Sequence, residues 1–225
     1  MDPSTELTML QTIAAFFQEG GFFMYVILAV FLTGVVIAAE RFIYLFKAEY
    51  QNRLDWVTMF PLVSKGHFSK ARNLSQGSSS ALASIVHNGL SHLAPGFSIK
   101  NVETAMEEGL MEAIPKMERR TNYIATLANI ATLLGLLGTI LGLISAFTAV
   151  TGADPTEKAN LLSASISVAM NTTAFGLMSA IPLLLAHALI QGKATALIDS
   201  MEMASIKVMN FVRRSHAQAK TQTSA

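Results

Sequence analysis

Three long stretches without Asp, Glu, Lys or Arg constrain this chain more than any other feature. They run from Gly20 to Ala39, from Thr121 to Ala153 and from Ala159 to Gly192. About 20 helical residues cross the hydrocarbon core of a bilayer, so each stretch is long enough to span a membrane. Inside lipid the backbone must satisfy its own hydrogen bonds, which predicts helices. Charged residues make up 14% of the chain, against about 25% in soluble domains.

The chain is therefore expected to be an all-α integral membrane protein with three long transmembrane helices. The second and third stretches exceed the span of a bilayer, which predicts helices that project beyond it. We expect spans at 20–40, 121–150 and 159–192. The segments between and around them are an N-terminal segment at 1–19, a helical region at 41–120, a turn at 151–158 and a C-terminal helix and tail at 193–225.

The basic residues are distributed unevenly along the chain. Of the 16 Lys and Arg residues, 15 lie in 40–120 or after Gly192. The positive-inside rule then places 41–120 and the C-terminal tail in the cytoplasm, and 1–19 and 151–158 on the opposite, periplasmic side. The first apolar stretch has no basic residues before it, which favours a retained span over a cleavable signal peptide.

Local patterns predict the structure of the region outside the spans. The first span should continue as an amphipathic helix to about Pro61. A later helix should begin at Asn101 as a possible N-cap and carry Glu112 and Lys116 as an i,i+4 pair. Pro115 should kink or break this helix. The last dozen residues are expected to be frayed.

The second and third spans each carry a stripe of small and hydroxyl side chains. Such faces let helix backbones approach closely, and their hydroxyls can bond across the contact. One reading is that they are packing surfaces only; the other is that polar groups within a membrane mark an ion pathway. One chain cannot hide both faces together with their hydroxyls, which predicts an oligomer. The stripes are Ala128, Thr132, Gly135, Thr139, Gly142 and Ala146, with Gly138 beside them, and Ser165, Ala169, Thr172, Gly176 and Ser179, with Asn171 and Thr173 adjacent.

Two segments of these spans resemble a known family. The runs "LLGLLGTILGLISAF" at 133–147 and "NTTAFGLMSAIPLLL" at 171–185 are similar to the two signatures of the ExbB/TolQ/MotA group of ion-driven motor proteins. The three-span layout with a large cytoplasmic insertion resembles the ExbB/TolQ branch. The resemblance implies a pentameric ring in the bacterial inner membrane. The ring would enclose an ExbD/TolR-like single-span partner with a membrane Asp, which transmits force to a TonB/TolA-like effector.

The resemblance also implies roles for individual residues. Because the partner would supply the carboxylate, this chain needs none in its spans, and the ion is cargo rather than a cofactor. Thr139 and Thr173 match the family's threonines and are possible Na⁺ contacts. The implied ion pathway consists of Thr139, Thr173, Thr172, Asn171 and Thr132, and the implied helix-packing residues are Gly135, Gly138, Gly142, Gly176 and Pro182.

The transported ion and the branch of the family stay open. Proton-driven members carry an acidic residue where this chain has Val168, and "NTTAFG" is similar to sodium-driven stator subunits, so H⁺ and Na⁺ are both retained. A flagellar-stator-like (MotA/PomA-type) channel subunit and a structural membrane scaffold are the alternatives. No hydrolase motif, phosphate loop or basic tract indicates an enzyme or a nucleic-acid partner. His187 is interpreted as an interfacial or core histidine rather than a proton shuttle.

Overall fold

The computed structural model describes residues 16–17, 20–93, 98–151 and 154–223, without the side chains of 155–156 and 219–223. Within these ranges the regular secondary structure is helical, as predicted, with short turns between the helices. Three of its helical segments are long and apolar enough to cross a membrane. The six helices that position the sites are α1 (Phe22–Ser64), α2 (Phe68–Gln76), α3 (Ala81–Ser91), α4 (Ile99–Glu118), α5 (Thr121–Thr151) and α6 (Pro155–Thr223).

The chain divides into two compact units, and the first comprises residues 1–40 and 120–189. It contains the start of α1, all of α5 and the first half of α6. Close packing here depends on small residues: a Cβ added to Gly34 would lie 2.8 Å from the side chain of Leu183. Arg120 precedes α5 with a φ of 62° and makes an ion pair with Glu40 at 3.0 Å. We call this part of the chain the span unit.

The second unit comprises residues 41–119 and 190–225 and is called the α3–α4 unit below. Its helices α3 and α4 pack through large apolar side chains, and Ile85, Leu90 and Met106 are at most 1% exposed. Ser80 caps α3 by accepting a hydrogen bond from the Ala83 N–H at 3.1 Å. The buried Arg41 donates to the last carbonyls of α4, which otherwise have no partner within the helix.

Several local predictions are settled by these helices. The Glu112–Lys116 pair is confirmed, with 2.9 Å between the carboxylate and the ammonium. The N-cap at Asn101 is wrong: α4 begins at Ile99 after Ser98, and the Asn101 N–H bonds to the Ser98 carbonyl. A break at Pro115 is also wrong, because the helix loses only one hydrogen bond there and continues to Glu118.

The long helices extend further than the sequence indicated. Helix α1 ends at Ser64, three residues beyond Pro61. Helix α6 is continuous from Pro155 to Thr223, so the predicted third span and C-terminal helix are one element, and the backbone of the tail is helical rather than frayed up to residue 223. The predicted 1–19 segment and the 151–158 turn lie partly outside the described residues, and which side each segment occupies stays a prediction.

Candidate functional site

The backbones of α5 and α6 meet at a seam of glycines in the span unit. A Cβ added to Gly176 would lie 2.8 Å from the Ala131 carbonyl oxygen and 3.0 Å from the Gly135 Cα. A Cβ on Gly135 would meet the backbones of Thr172, Thr173 and Gly176, each at 3.3 Å. Both neighbours are main chain, which cannot rotate away as a flexible side chain could. A side chain at Gly176 would therefore force the two backbones apart, and one at Gly135 would fit only if the backbone of α6 shifted by a few tenths of an ångström.

The seam continues toward the C-terminal end of α5. A Cβ on Gly138 would lie 2.4 Å from the Thr172 methyl carbon, and one on Gly142 would lie 2.6 Å from the Ala169 Cβ. The two small stripes predicted from the sequence thus pack against each other within one chain. This contact buries Gly135, Gly138, Ala169 and Gly176, but Thr132, Thr139 and Thr173 stay half-buried, so the oligomer expected from their hydroxyls remains a prediction. Pro182, predicted with the packing residues, is exposed on α6.

Thr139 and Thr173 meet across this seam. Their hydroxyls are in hydrogen-bond contact with each other. The Thr173 hydroxyl also lies 2.8 Å from the Gly135 carbonyl oxygen, and the Thr139 hydroxyl lies 3.2 Å from the same oxygen. The structure therefore brings two of the five predicted pathway residues into one cluster, which we call the threonine pair. Both residues are only half-buried, so one side of the pair is accessible.

The other predicted pathway residues lie apart from the threonine pair. The Thr172 hydroxyl lies 2.9 Å from the Gly20 carbonyl oxygen and 2.8 Å from the Val168 carbonyl oxygen, so its one proton is shared between them and links α6 to Gly20, two residues before α1. The Thr132 hydroxyl donates to the Ala128 carbonyl of its own helix at 3.2 Å. Asn171 is half-buried and makes no side-chain hydrogen bond within the described residues. Within the described residues, no side-chain hydrogen bond joins these three residues to the pair.

Sequence reasoning missed another polar group in the spans. Asn129 lies on α5, is exposed, and forms no side-chain hydrogen bond in the part of the chain that the structure describes. Three buried side-chain atoms of the span unit likewise have no described partner: Thr121 Oγ1, Ser179 Oγ and His187 Nε2. The signal for Asn129 was present, since an amide within a charge-free stretch is costly unless it is paired.

The described residues contain no cluster of three His, Asp or Glu side chains that could hold a metal ion. Val168, at the family's acidic position, faces Gly21: a Cβ on that glycine would lie 3.5 Å from the valine methyl. The polar groups at the threonine pair are two hydroxyls and the Gly135 carbonyl.

The long apolar helices and the glycine seam define a multi-pass helical membrane protein. Residues 78–203, more than half of the chain, match the MotA/TolQ/ExbB proton channel family. The chain belongs to this family.

Individual relatives point to the same group. The chain is 34% identical over 94 residues to the Tol-Pal system protein TolQ of Haemophilus influenzae, covering 42% of this chain and 41% of that protein. It is 29% identical over 199 residues to a putative biopolymer transport protein ExbB homolog of Methanothermobacter thermautotrophicus, covering 85% and 67%. A putative biopolymer transport protein ExbB-like 3 of Synechocystis is 35% identical over 82 residues, covering 36% and 39%. The matches thus span well under half of two of these relatives.

Proposed function

We propose that this protein is the ring-forming subunit of an ion-driven motor in the bacterial inner membrane. Five copies surround an ExbD/TolR-like single-span partner, and H⁺ or Na⁺ passes the partner's membrane carboxylate beside the threonine pair. The partner passes the resulting movement to a TonB/TolA-like effector. The N-terminus is periplasmic and the C-terminus cytoplasmic. Family membership and the relatives in the Tol-Pal and biopolymer transport groups support this function.

The threonine pair is the observation that carries the proposal. Each hydroxyl has one proton to donate and lone pairs to accept with. Either hydroxyl can donate in the Thr139–Thr173 contact, and both lie within hydrogen-bond distance of the Gly135 carbonyl oxygen, so one proton can bridge the two oxygens while the other is donated to that carbonyl. In this arrangement both hydroxyl protons form hydrogen bonds within the chain, while oxygen lone pairs stay available on the accessible side of the pair. The pair is suited to receive a group that donates: a protonated carboxyl, a water molecule or a partly dehydrated cation.

The free lone pairs of the threonine pair determine which state of the partner's carboxyl group it can bind. An ionised carboxylate is an acceptor only, so it would have to break a bond within the pair to be recognised. A protonated carboxyl or a cation-loaded carboxylate could bind without that cost. The pair would thus distinguish the loaded state of the partner from the empty one. Hydroxyl and carbonyl oxygens suit Na⁺ as well as a proton carrier, so the ion is left to experiment.

The unpaired amides support the presence of a partner helix or a second copy. Asn129 and Asn171 lie in apolar stretches and have no side-chain bond within the described residues. A polar group without a partner in an apolar medium costs several kcal/mol. Assembly around another helix, or around a hydrated path, would satisfy both amides.

A structural scaffold is the second possibility, and one observation favours it. The hydroxyls of Thr132, Thr139, Thr172 and Thr173 all bond within the chain, which a packing role alone would require. A scaffold predicts that loss of these hydroxyls weakens assembly. The motor predicts that assembly survives and ion flow fails. A flagellar-stator-like (MotA/PomA-type) subunit would share the motor outcome and differ only in the effector.

The test compares Thr173→Val and Thr173→Ser in proteoliposomes that contain this chain with its single-span partner. Thr148→Val is the matched control, because the Thr148 hydroxyl is exposed and bonds only the Ile144 carbonyl of its own helix. We expect Thr173→Val to reduce ion flux by roughly ten- to hundredfold, the equivalent of losing about 1–3 kcal/mol at a dry site. Thr173→Ser should retain more flux, and Thr148→Val should match the wild type.

Assembly is checked on the same samples by native mass spectrometry, with a pentamer expected for every variant. Flux is measured at fixed voltage and pH with and without Na⁺, and a sodium-dependent wild type identifies the ion. If Thr173→Val conducts normally, the pathway role is excluded. If it fails to assemble, the scaffold is supported instead.

A further inference from the structure

A cavity of about 500 Å³ lies in the α3–α4 unit, outside the charge-free stretches. It opens among α1, the serine-rich loop before α3, and α4. The proposed motor function uses none of its residues. The polar groups of its wall that matter here are Lys47, Asn52, Ser79, Ser84, Glu112 and Lys116.

Asn52 has a buried side-chain nitrogen without a described hydrogen-bond partner. Its residue is only 5% exposed, and its Oδ1 accepts a hydrogen bond from the Leu82 N–H at 3.2 Å. Its Nδ2 is buried and has no partner among the described residues. A buried donor left unsatisfied costs free energy, so such groups need an explanation. The oxygen has one described partner, whereas the nitrogen has none, so the unmet bonding capacity of this amide lies chiefly with its N–H donors.

Other groups of the wall can donate as well. Lys47 makes no ion pair, and Ser79 and Ser84 make no side-chain hydrogen bond, within the described residues. The acidic group of the wall, Glu112, is already bonded to Lys116. That hydrogen bond, together with the lysine's charge, lowers the pKa of Glu112, so the carboxylate is ionised and paired at neutral pH.

The wall therefore combines two ammonium groups, one paired carboxylate, two free hydroxyls and an orphan amide donor. Lys47 and Lys116 outnumber the one carboxylate of the wall, Glu112, so the wall carries a net positive charge that favours an anion over a cation. A ligand with several acceptor oxygens and negative charge would satisfy the donors together. Phosphate is such a group, because Lys binds it as a point charge and hydroxyl and amide donors complete its shell.

We infer that this cavity binds a phosphate group through Lys47, Asn52 and the serine hydroxyls. Two sources present the same chemistry. Lys47 lies eight residues after Ala39, the end of the first charge-free stretch, which is about 12 Å along the axis of helix α1. An anionic lipid headgroup can approach from the membrane, and a free phosphate or phosphorylated solute can enter from water.

The experiment uses the full-length purified protein and four single substitutions. Asn52→Asp keeps the oxygen that accepts from Leu82 but replaces the unpaired donor with a negative oxygen. Lys47→Gln removes the unpaired charge. Glu112→Gln removes the negative charge of the wall, so it should strengthen binding. Lys70→Gln, an exposed lysine on α2 outside the cavity wall, is the control for loss of one positive charge.

One arm titrates inorganic phosphate into the protein in phosphatidylcholine nanodiscs and follows binding by calorimetry. The other arm compares melting temperatures in nanodiscs of pure phosphatidylcholine and of phosphatidylcholine with phosphatidylglycerol. Calorimetric binding to the wild type identifies a free phosphate ligand. A higher melting temperature with phosphatidylglycerol alone identifies the headgroup.

In the arm in which the wild type gives a signal, Asn52→Asp should weaken the affinity for phosphate or for the headgroup more than tenfold. Lys47→Gln should weaken it several-fold, as expected for lost charged hydrogen bonds. Glu112→Gln should strengthen it by several-fold, an increase that misfolding cannot produce. Lys70→Gln should match the wild type. The inference is overturned if neither arm responds. It is also overturned if Asn52→Asp and Glu112→Gln respond like the wild type, or if Lys70→Gln loses as much as Lys47→Gln.

Discussion

The two units of this chain reach close packing by different chemical routes. In the span unit, glycines bring two backbones together, and threonine hydroxyls bond carbonyls of the same seam. In the α3–α4 unit, methionine, leucine and isoleucine side chains fill the interior. Ion pairs such as Lys193–Glu49, at 2.8 Å, lie at its surface.

This contrast is the one expected if the span unit lies in lipid and the α3–α4 unit lies in water, as we propose. In water, burying a large apolar side chain is favourable, so a core of such side chains stabilises the α3–α4 unit. In lipid that driving force between helices is absent, and association depends on backbone proximity and interhelical hydrogen bonds. We therefore expect the two units to respond differently to substitution. Removing side-chain atoms should destabilise the α3–α4 unit most, and adding side-chain atoms should destabilise the span unit most.

The largest expected effect is a deletion in the α3–α4 unit. Met106 is 1% exposed and covers Gly89, whereas Met111 on the same helix is 70% exposed. Met106→Ala leaves a cavity and should destabilise the protein by about 2–5 kcal/mol. Met111→Ala should stay within about 0.5 kcal/mol of the wild type. Thermal melting of the full-length protein in one detergent measures both, and equal melting temperatures would show that this interior is not packed as described.

The next effect is an addition in the span unit. Gly176→Ala places a methyl against the backbone of α5 and should cost about 1–3 kcal/mol, the usual range for overpacking. Gly192→Ala is the matched control, since a Cβ there has nothing within 4 Å. It should be neutral or slightly stabilising, because Ala favours helix over Gly. Should both variants melt at the same temperature, the close approach of α5 and α6 would be refuted.

Much of the span unit could be predicted from the sequence. The charge-free stretches indicated the helices, and the stripes indicated which faces are small. The spacing of Thr139 and Thr173 placed them on these faces, though only the structure shows that they bond each other. What the sequence could not give was the partner of each face, because a stripe does not say whether its complement lies in the same chain. The hydrogen bond between Thr172 and Gly20 could not be predicted either, because it joins residues far apart in sequence.

The α3–α4 unit was less predictable. Asn101 has a capping side chain, but the helix begins earlier, because capping propensity is worth only about 1 kcal/mol and packing decides the boundary. The orphan amide of Asn52 leaves no trace in the sequence, since it depends on Leu82 occupying the neighbouring oxygen. Local preferences thus located the helices, and long-range contacts determined the polar groups that are left without partners.

The account's central claim is that Thr139 and Thr173 act as one hydroxyl pair in ion flow. A double-mutant cycle of Thr139→Val, Thr173→Val and the double variant tests it most directly, with flux measured in proteoliposomes that contain the partner. If the pair acts as a unit, each single change should lower flux by at least about tenfold, the equivalent of about 1.4 kcal/mol. The double change should then be no worse than the singles, because non-additivity marks coupled residues. Wild-type flux in both single variants would contradict the claim and leave the two threonines as packing residues.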